Sequence, residues 1–233
     1  MSEKSIRSFN SELDRKIGPI KIPCLCLIEG PNDSGKSVVV LQYCYGALQS
    51  GLNCYLLTTE SSMRGIRDGM ASLSLDPVYF LISGRLKVGE MHVKNLTWNS
   101  EQNSRMLKLI TSFIKSRKKE EVFFLDSMTY LVTNAQTPEI LNFFTTVRNI
   151  VDSDGKTIFL TIHTHALNTD LSVRLRSIAD AHFMLNVKEM GERIVRTLQV
   201  MKLKGAERSG LILAFEVDQA FGIRVLPFSQ AKA

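Results

Sequence analysis

Leu25-Cys26-Leu27-Ile28-Glu29 runs directly into Gly30-Pro31-Asn32-Asp33-Ser34-Gly35-Lys36-Ser37, and a helix-patterned stretch, residues 35–49, follows and is closed by Gly51. The octet fits G-x-x-x-x-G-K-[ST] at every fixed position, between an expected strand and an expected helix, as that motif requires. Such a loop works because successive backbone N–H groups and a helix N-terminus form a nest for phosphate oxygens, with glycines letting the backbone come close. Gly30, Pro31, Asn32, Asp33, Ser34, Gly35, Lys36, Ser37 and Val38 are therefore the expected nucleotide-binding residues. Lys36 should reach the β- and γ-phosphates of a nucleotide such as ATP, and the Ser37 hydroxyl should ligate Mg²⁺. The plainer alternative is a tight turn with a solvated lysine.

Working outward, short apolar runs alternate with longer amphipathic segments, the signature of a largely parallel sheet flanked by helices. Residues 54–58 read as a second strand, 62–73 as a helical segment and 79–82 as a third strand, while the stretch holding Trp98 has no assignable pattern. Met106, Leu107, Ile110, Phe113 and Ile114 recur at helical spacing within 104–116, and the basic end Lys115, Arg117, Lys118, Lys119 suits a helix C-terminus. Val122-Phe123-Phe124-Leu125, apolar on both faces as a central parallel strand should be, ends in Asp126. Pro138 and Glu139 open a helix to about Val151, residues 152–155 make a turn, and 157–162 is a fifth strand. After Ala179 the pattern becomes alternating, with strands 181–187 and 194–203 joined at Met190-Gly191. The fold class is α/β, a mostly parallel sheet with a C-terminal β-meander, and no repeat or linker divides the 233 residues, so one domain is expected.

Composition narrows the class. At 44% hydrophobic and 22% charged, the chain is neither disordered nor fibrous. Lys plus Arg number 29 against 23 Asp plus Glu, a net charge of +6 that suits anionic partners without naming one. No apolar run approaches the about 18 residues of a membrane span, and the first ten residues are polar, so a cytoplasmic protein is expected. Cys24, Cys26, Cys44 and Cys54 lack C-x-x-C spacing and read as reduced, buried thiols.

A phosphate loop needs a carboxylate for hydrated Mg²⁺ at the end of a neighbouring buried strand, and Asp126 meets that need. Hydrolysis also needs a group that orients water. Ser127 follows Asp126, so the role falls to Glu60, which should emerge at the same sheet edge; the alternative is an acid favoured by a helix dipole. Thr161, His163 and His165 end the fifth strand. They read as polar residues lining the nucleotide crevice, with His163 sensing the γ-phosphate; loop histidines and an H-x-H metal pair remain open. Lys202, Lys204 and Gly205 alone read as a solvated basic edge.

These pieces resemble the RecA-like ATPases of the KaiC type. The likeness spans nearly the whole chain: Leu13-Asp14, Ile17-Gly18 and Ile22-Pro23 before the loop, Asp126-Ser127, and Lys202-Leu203-Lys204-Gly205. It is closer still to the ATP-binding accessory proteins of the archaellum (archaeal flagellum) motor, on the ten residues Ile28-Glu29-Gly30 through Ser37, on Thr58-Thr59-Glu60, and on the run from Leu175-Arg176 to Ala181-His182. The resemblance implies a RecA-like core that binds ATP and Mg²⁺ and a homo-oligomer, a hexameric ring, with little or no turnover. It implies partners among the motor ATPase and scaffold proteins, with membrane contact only through them. It also implies that Lys202 and Lys204 reach the nucleotide of a neighbouring subunit. The sequence departs where clock-type relatives carry Pro-Gly-Thr-Gly-Lys-Thr and paired glutamates, having Asn32-Asp33-Ser34-Gly35-Lys36-Ser37 and Thr59-Glu60. That leaves one catalytic carboxylate missing.

Two other functions compete. A recombinase-like DNA-binding ATPase would use Arg174 and Arg176 after the fifth strand, but residues 166–177 hold no aromatic for base stacking, so no nucleic acid is expected. A stand-alone KaiC-like ATPase would use Glu60 as its working carboxylate.

Overall fold

The computed structural model describes residues 4–91, 99–190, 193–205, 210–218 and 222–227. In chain order the elements are β1 (Ser5–Ile6), α1 (Ser11–Ile17), β2 (Ile20–Lys21), β3 (Leu25–Gly30), α2 (Lys36–Gln49), β4 (Cys54–Thr58), α3 (Met63–Ser72), α4 (Val78–Ile82) and β5 (Leu86–Glu90). They continue with α5 (Ser100–Ser116), β6 (Val122–Asp126), α6 (Thr129–Thr133), α7 (Thr137–Asp154), β7 (Thr157–His163), α8 (Thr169–Ile178), β8 (Ala181–Met190), β9 (Arg193–Leu203), β10 (Ile212–Asp218) and β11 (Gly222–Leu226).

One nine-stranded sheet organises them in the order β11-β10-β9-β8-β3-β7-β6-β4-β5. The six strands from β8 to β5 pair in parallel, and β8 to β11 pair as antiparallel neighbours. Because residues alternate across a strand, β3 sends Cys26 and Ile28 to a core under α2, and Leu25 and Leu27 to a second core under α7. All six β3 residues are buried, as a strand covered on both faces must be. In the first core Tyr43 of α2 stacks on Phe159 and Phe183, with centroids 5.7 and 5.9 Å apart. Such aromatic pairs add about 0.5–1.5 kcal/mol beyond the area they bury. The four cysteines are free and buried, as their apolar setting suggested.

Three segments differ from the sequence reading. Residues 79–82, expected as a strand, lie in α4. Pro77 begins the turn and only Phe80 is buried, so one ring anchors a short helix whose other side faces solvent. The strand on the outer side of β4 is instead β5, whose Lys87 and Gly89 interrupt the apolar run; a Cβ at Gly89 would stand 2.8 Å from Leu57. Residues 169–178, read without a helix, form α8, started by the Asn168 side chain accepting from Leu171 N–H. The turn placed at 152–155 is narrower than expected, since α7 runs to Asp154 and only Gly155, at φ +66°, leaves the helix. Trp98 lies outside the described residues, as does Gly191 of the expected 190–191 turn.

Candidate nucleotide site

At the carboxyl edge of the parallel strands, β3 gives way to a tight loop and then to α2. Asp33 (φ +58°) and Gly35 (φ +89°) both adopt left-handed backbone, which turns successive N–H groups inward. The Ser34 hydroxyl donates to the Pro31 carbonyl at 2.8 Å. Gly30 has no room for a side chain, because a Cβ would stand 2.5 Å from Ser34 Oγ and 2.9 Å from the Leu185 carbonyl. No side chain caps α2, so its first-turn N–H groups are left for a ligand. Lys36 Nζ donates to the Gly30 and Pro31 carbonyls at 2.9 and 2.7 Å. Burial lowers its pKa, against the pull of Asp126, Glu60 and Asp33.

Asp126 ends β6 beside this loop, 6% exposed, and accepts a 2.7 Å hydrogen bond from Thr161 Oγ1, with the Ser37 hydroxyl near enough to favour its charged form. Burial pushes its pKa up despite Thr161 and Ser37. The Asp126-Ser127 peptide is cis. A hydroxyl beside an oriented carboxylate, all oxygen, fits Mg²⁺, which takes one or two carboxylates plus phosphate oxygens and keeps waters of its own. Glu60, beyond β4, accepts from Ser127 Oγ at 2.9 Å, while Thr59 and Ser127 exchange hydrogen bonds of 3.0 and 3.2 Å. His163 Nε2 stands 3.0 Å from Asn32 Oδ1, and its backbone N–H donates to Thr129 Oγ1. Burial, then the positive charge of Lys36, lowers its pKa, which leaves a neutral imidazole at pH 7.

Asn32, Asp33, Gly35, Lys36, Ser37 and Val38 line a cleft of about 610 Å³ whose two ends follow from the strands on either side of β3. Glu60, Thr129 and His163 form one end; Arg196 of β9 and Val217 of β10 form the other. Arg196 Nε donates to the Asp33 carbonyl at 2.8 Å, which fixes the guanidinium against the loop.

The family model described as "ATPase: KaiC" matches residues 7–230. The chain belongs to the KaiC family of ATPases. It is similar to the archaeal flagellar ATP-binding protein FlaH of Sulfolobus acidocaldarius, 31% identical over 228 residues that cover 98% of this chain and 99% of that one. Among solved structures it is similar to the flagellar accessory protein FlaH of Methanocaldococcus jannaschii, with a TM-score of 0.84, 22% identity, and coverage of 97% of this chain and all of that one. A KaiC-like protein of Pyrococcus horikoshii has a TM-score of 0.75 at 20% identity, with the same coverage. Those two structures bear on the fold, a RecA-like core with a mostly parallel sheet.

In this KaiC-family chain the residues expected from sequence fall into two groups. Asn32, Asp33, Gly35, Lys36, Ser37, Val38, Glu60 and His163 line the cleft; Asp126 stands buried behind that lining with Thr161 bonded to it, Gly30, Pro31 and Ser34 shape the loop from within, and His165 is exposed outside. Among the described residues no three His, Cys, Asp or Glu side chains cluster as a metal would require, so the H-x-H pair has no further ligand there. Lys202 and Lys204 lie elsewhere. Leu203 pairs with Ala181 at the start of β8, which puts both lysines at the sheet edge opposite the loop. Lys202 Nζ donates to the Ser177 carbonyl at 2.9 Å, and Lys204 Nζ stands 3.6 Å from Asp180 Oδ1. Arg176 belongs to α8 and pairs with Glu29, which takes it out of any DNA-contacting loop. Sequence reasoning missed Arg196 and Val217. The available signal was the β9 alternation, which places Arg196 in the inward register of Leu198 and Val200.

Proposed function

We propose that the chain is an ATP-binding subunit of the archaellum motor, one nucleotide-binding domain that assembles as a hexameric ring and turns ATP over slowly. The likeness to the Sulfolobus flagellar ATP-binding protein supports the setting. The site supports the chemistry. Loop N–H groups and Lys36 would hold the β- and γ-phosphates, Ser37 and Asp126 would hold Mg²⁺, and His163, neutral at pH 7, would face the γ-phosphate. The nucleoside would lie toward Arg196 and Val217, because the metal-binding carboxylate fixes which end takes the γ-phosphate. Lys202 and Lys204, at the far edge from their own loop, would reach the nucleotide of a neighbouring subunit.

The observation that carries the reading is the state of the water-orienting end. Its one carboxylate, Glu60, already accepts a hydrogen bond from Ser127, and Thr59 beside it offers only a hydroxyl that is bonded to the same residue. A phosphate grip this complete beside so thin a hydrolytic set suits ATP as an assembly ligand, with ring formation rising with occupancy. Contact with the membrane would come through motor and scaffold partners at its cytoplasmic face; among the described residues no helix is long and apolar enough to cross a bilayer.

Light scattering with and without Mg-ATP, with phosphate release measured on the same samples, tests this. Assembly with negligible release is the expected result. Release faster than about 1 s⁻¹ from an unchanged monomer would put the chain among ordinary enzymes and sink the proposal.

A further inference from the structure

A buried charge cluster directly behind the phosphate loop takes no part in the chemistry above. Glu29 is the last β3 residue before Gly30, only 2% exposed, on the same face as Leu25 and Leu27. His182 Nε2, itself on a side chain 4% exposed, stands 2.6 Å from Glu29 Oε2. Arg176, in the last turn of α8, donates from Nε to Oε2 at 2.8 Å and from Nη2 to Oε1 at 3.3 Å. Burial alone would push Glu29 up; the close approach of His182 and the hydrogen bonds from Arg176 outweigh it and hold the carboxylate below its ordinary range. Buried ion clusters are weak sources of stability, since apolar side chains of similar volume often do as well. Their value is in fixing one arrangement, and here that arrangement sets where the strand hands over to the loop.

The same stretch of chain meets the far-edge lysines. Ser177, next to Arg176, gives its carbonyl to Lys202, and Asp180 takes Lys204. Asp180 also accepts from the Leu25 N–H at 2.9 Å and from Arg148 Nη1 at 2.6 Å. Strand β3 is thus held at its beginning by Asp180 and at its end by Arg176, with His182 against the same carboxylate. All three holding residues lie between the end of α8 and the start of β8.

We infer that Glu29, Arg176 and His182 are positioning residues for the phosphate loop, and that the α8–β8 connection couples Lys202 and Lys204 to the ATP site of their own subunit. This rests on the proposed reading of the cleft as an ATP site and of Lys202 and Lys204 as contacts to a neighbour's nucleotide. A lysine that leaves Ser177 or Asp180 for a neighbour's phosphates changes what holds α8, and α8 holds Glu29 beside Gly30. By linkage, nucleotide in the cleft biases the lysines in return.

The test is titration with a fluorescent ATP analogue at concentrations where scattering shows monomer. Arg176→Ala should weaken binding about 10-fold and Lys202→Ala about 3-fold, within the usual span for residues that touch no ligand. The double variant should lose less than the product of the two, because after Arg176→Ala the connection no longer reaches Glu29. Arg176→Lys should recover part of the affinity, and Arg174→Ala, exposed on the same helix, should bind as the wild type does. Should His182→Ala fail to fold, Glu29→Gln asks the same question with shape preserved. Arg176→Ala with a lower melting temperature and unchanged affinity would make the cluster merely structural and overturn the inference. Strict multiplicativity in the double variant would overturn the coupling. Wild-type protein with no affinity at all would instead defeat the ATP-site reading, and this inference with it.

Discussion

The two ends of the cleft are built on different plans. The phosphate end is built around one unbroken loop, residues 30–38, with Glu60, Thr129 and His163 beyond it and Asp126 behind it on a strand two places away in the sheet. Its donors are mostly backbone N–H groups, which any sequence has, so the specific requirement falls on glycines, one lysine and one hydroxyl at fixed spacing. The other end comes from two antiparallel strands, where Arg196 is 163 residues from the Asp33 carbonyl that it meets. Nothing local ties the two together; the β8–β9 hairpin register does. Under the proposed reading, grip on phosphate would be a property of a segment, whereas grip on the nucleoside would be a property of the tertiary fold.

If that division holds, damage at the phosphate end should be severe and indifferent to the base. Lys36→Ala should weaken every nucleoside triphosphate alike by about 100-fold or more, the cost of about 3 kcal/mol for removing one partner of a buried charge contact. Isothermal titration with ATP and GTP checks this, and a loss confined to one base would break the comparison. Asp126→Asn should cost less, about 30-fold, and only when Mg²⁺ is present, because under the proposed reading the carboxylate would act through the metal. The same substitution carries a second signature. Burial raises Asp126 above the ordinary aspartate value of 3.8, so its ionisation opposes folding, and stability is lost as pH rises from there through the folded-state value. Asp126→Asn should therefore raise the melting temperature at pH 7 by about 2–4 °C for each kcal/mol relieved, while it weakens Mg-ATP. A lower melting temperature would show that Thr161 and Ser37 more than repay the burial.

The same contrast explains what the sequence disclosed. Residues 30–37 and 122–126 could be read because each is a short run whose spacing or apolarity is itself the constraint. Residues 79–82 misled, since Tyr79, Phe80, Leu81 and Ile82 have a strand's composition, yet only Phe80 is fully buried, Leu81 packs at the core's margin and Pro77 starts a turn. Strand β5 stayed hidden because an edge strand with Lys87 and Gly89 carries no apolar run. Helix α8 buries Leu171, Ser172 and Leu175 behind charged neighbours, a stripe too narrow to announce itself. Glu29 and His182 could be named as residues but not as a pair, because the pairing exists only once β8 lies against β3.

At the nucleoside end the expected effects are smaller and selective. Arg196→Ala should weaken ATP by about 10-fold, the scale of a desolvated contact between a guanidinium and a ring, and should compress the difference between ATP and GTP. Equal loss for both nucleotides would mean that Arg196 serves the loop through Asp33 and not the base. Val217→Ala, which removes apolar contact alone, should cost about 3-fold or less.

Glu60→Gln is expected to do least to affinity, and it decides what the phosphate end is for. Glutamine keeps an oxygen for the Ser127 hydroxyl, so the local hydrogen bond survives while the charge goes. A positioned general base contributes about 10²–10⁴-fold to its reaction, so an enzyme that used Glu60 in that way would lose turnover on that scale. A ring subunit for which ATP is mainly an assembly ligand should lose only a few-fold of an already slow release, with affinity and ring formation intact. Single-turnover phosphate release, measured beside scattering on the same variant, separates the two. A drop of 100-fold or more would make the phosphate end a catalytic device whose one carboxylate suffices. The missing second carboxylate would then say nothing about rate, and the contrast between the two ends would be one of chemistry against recognition.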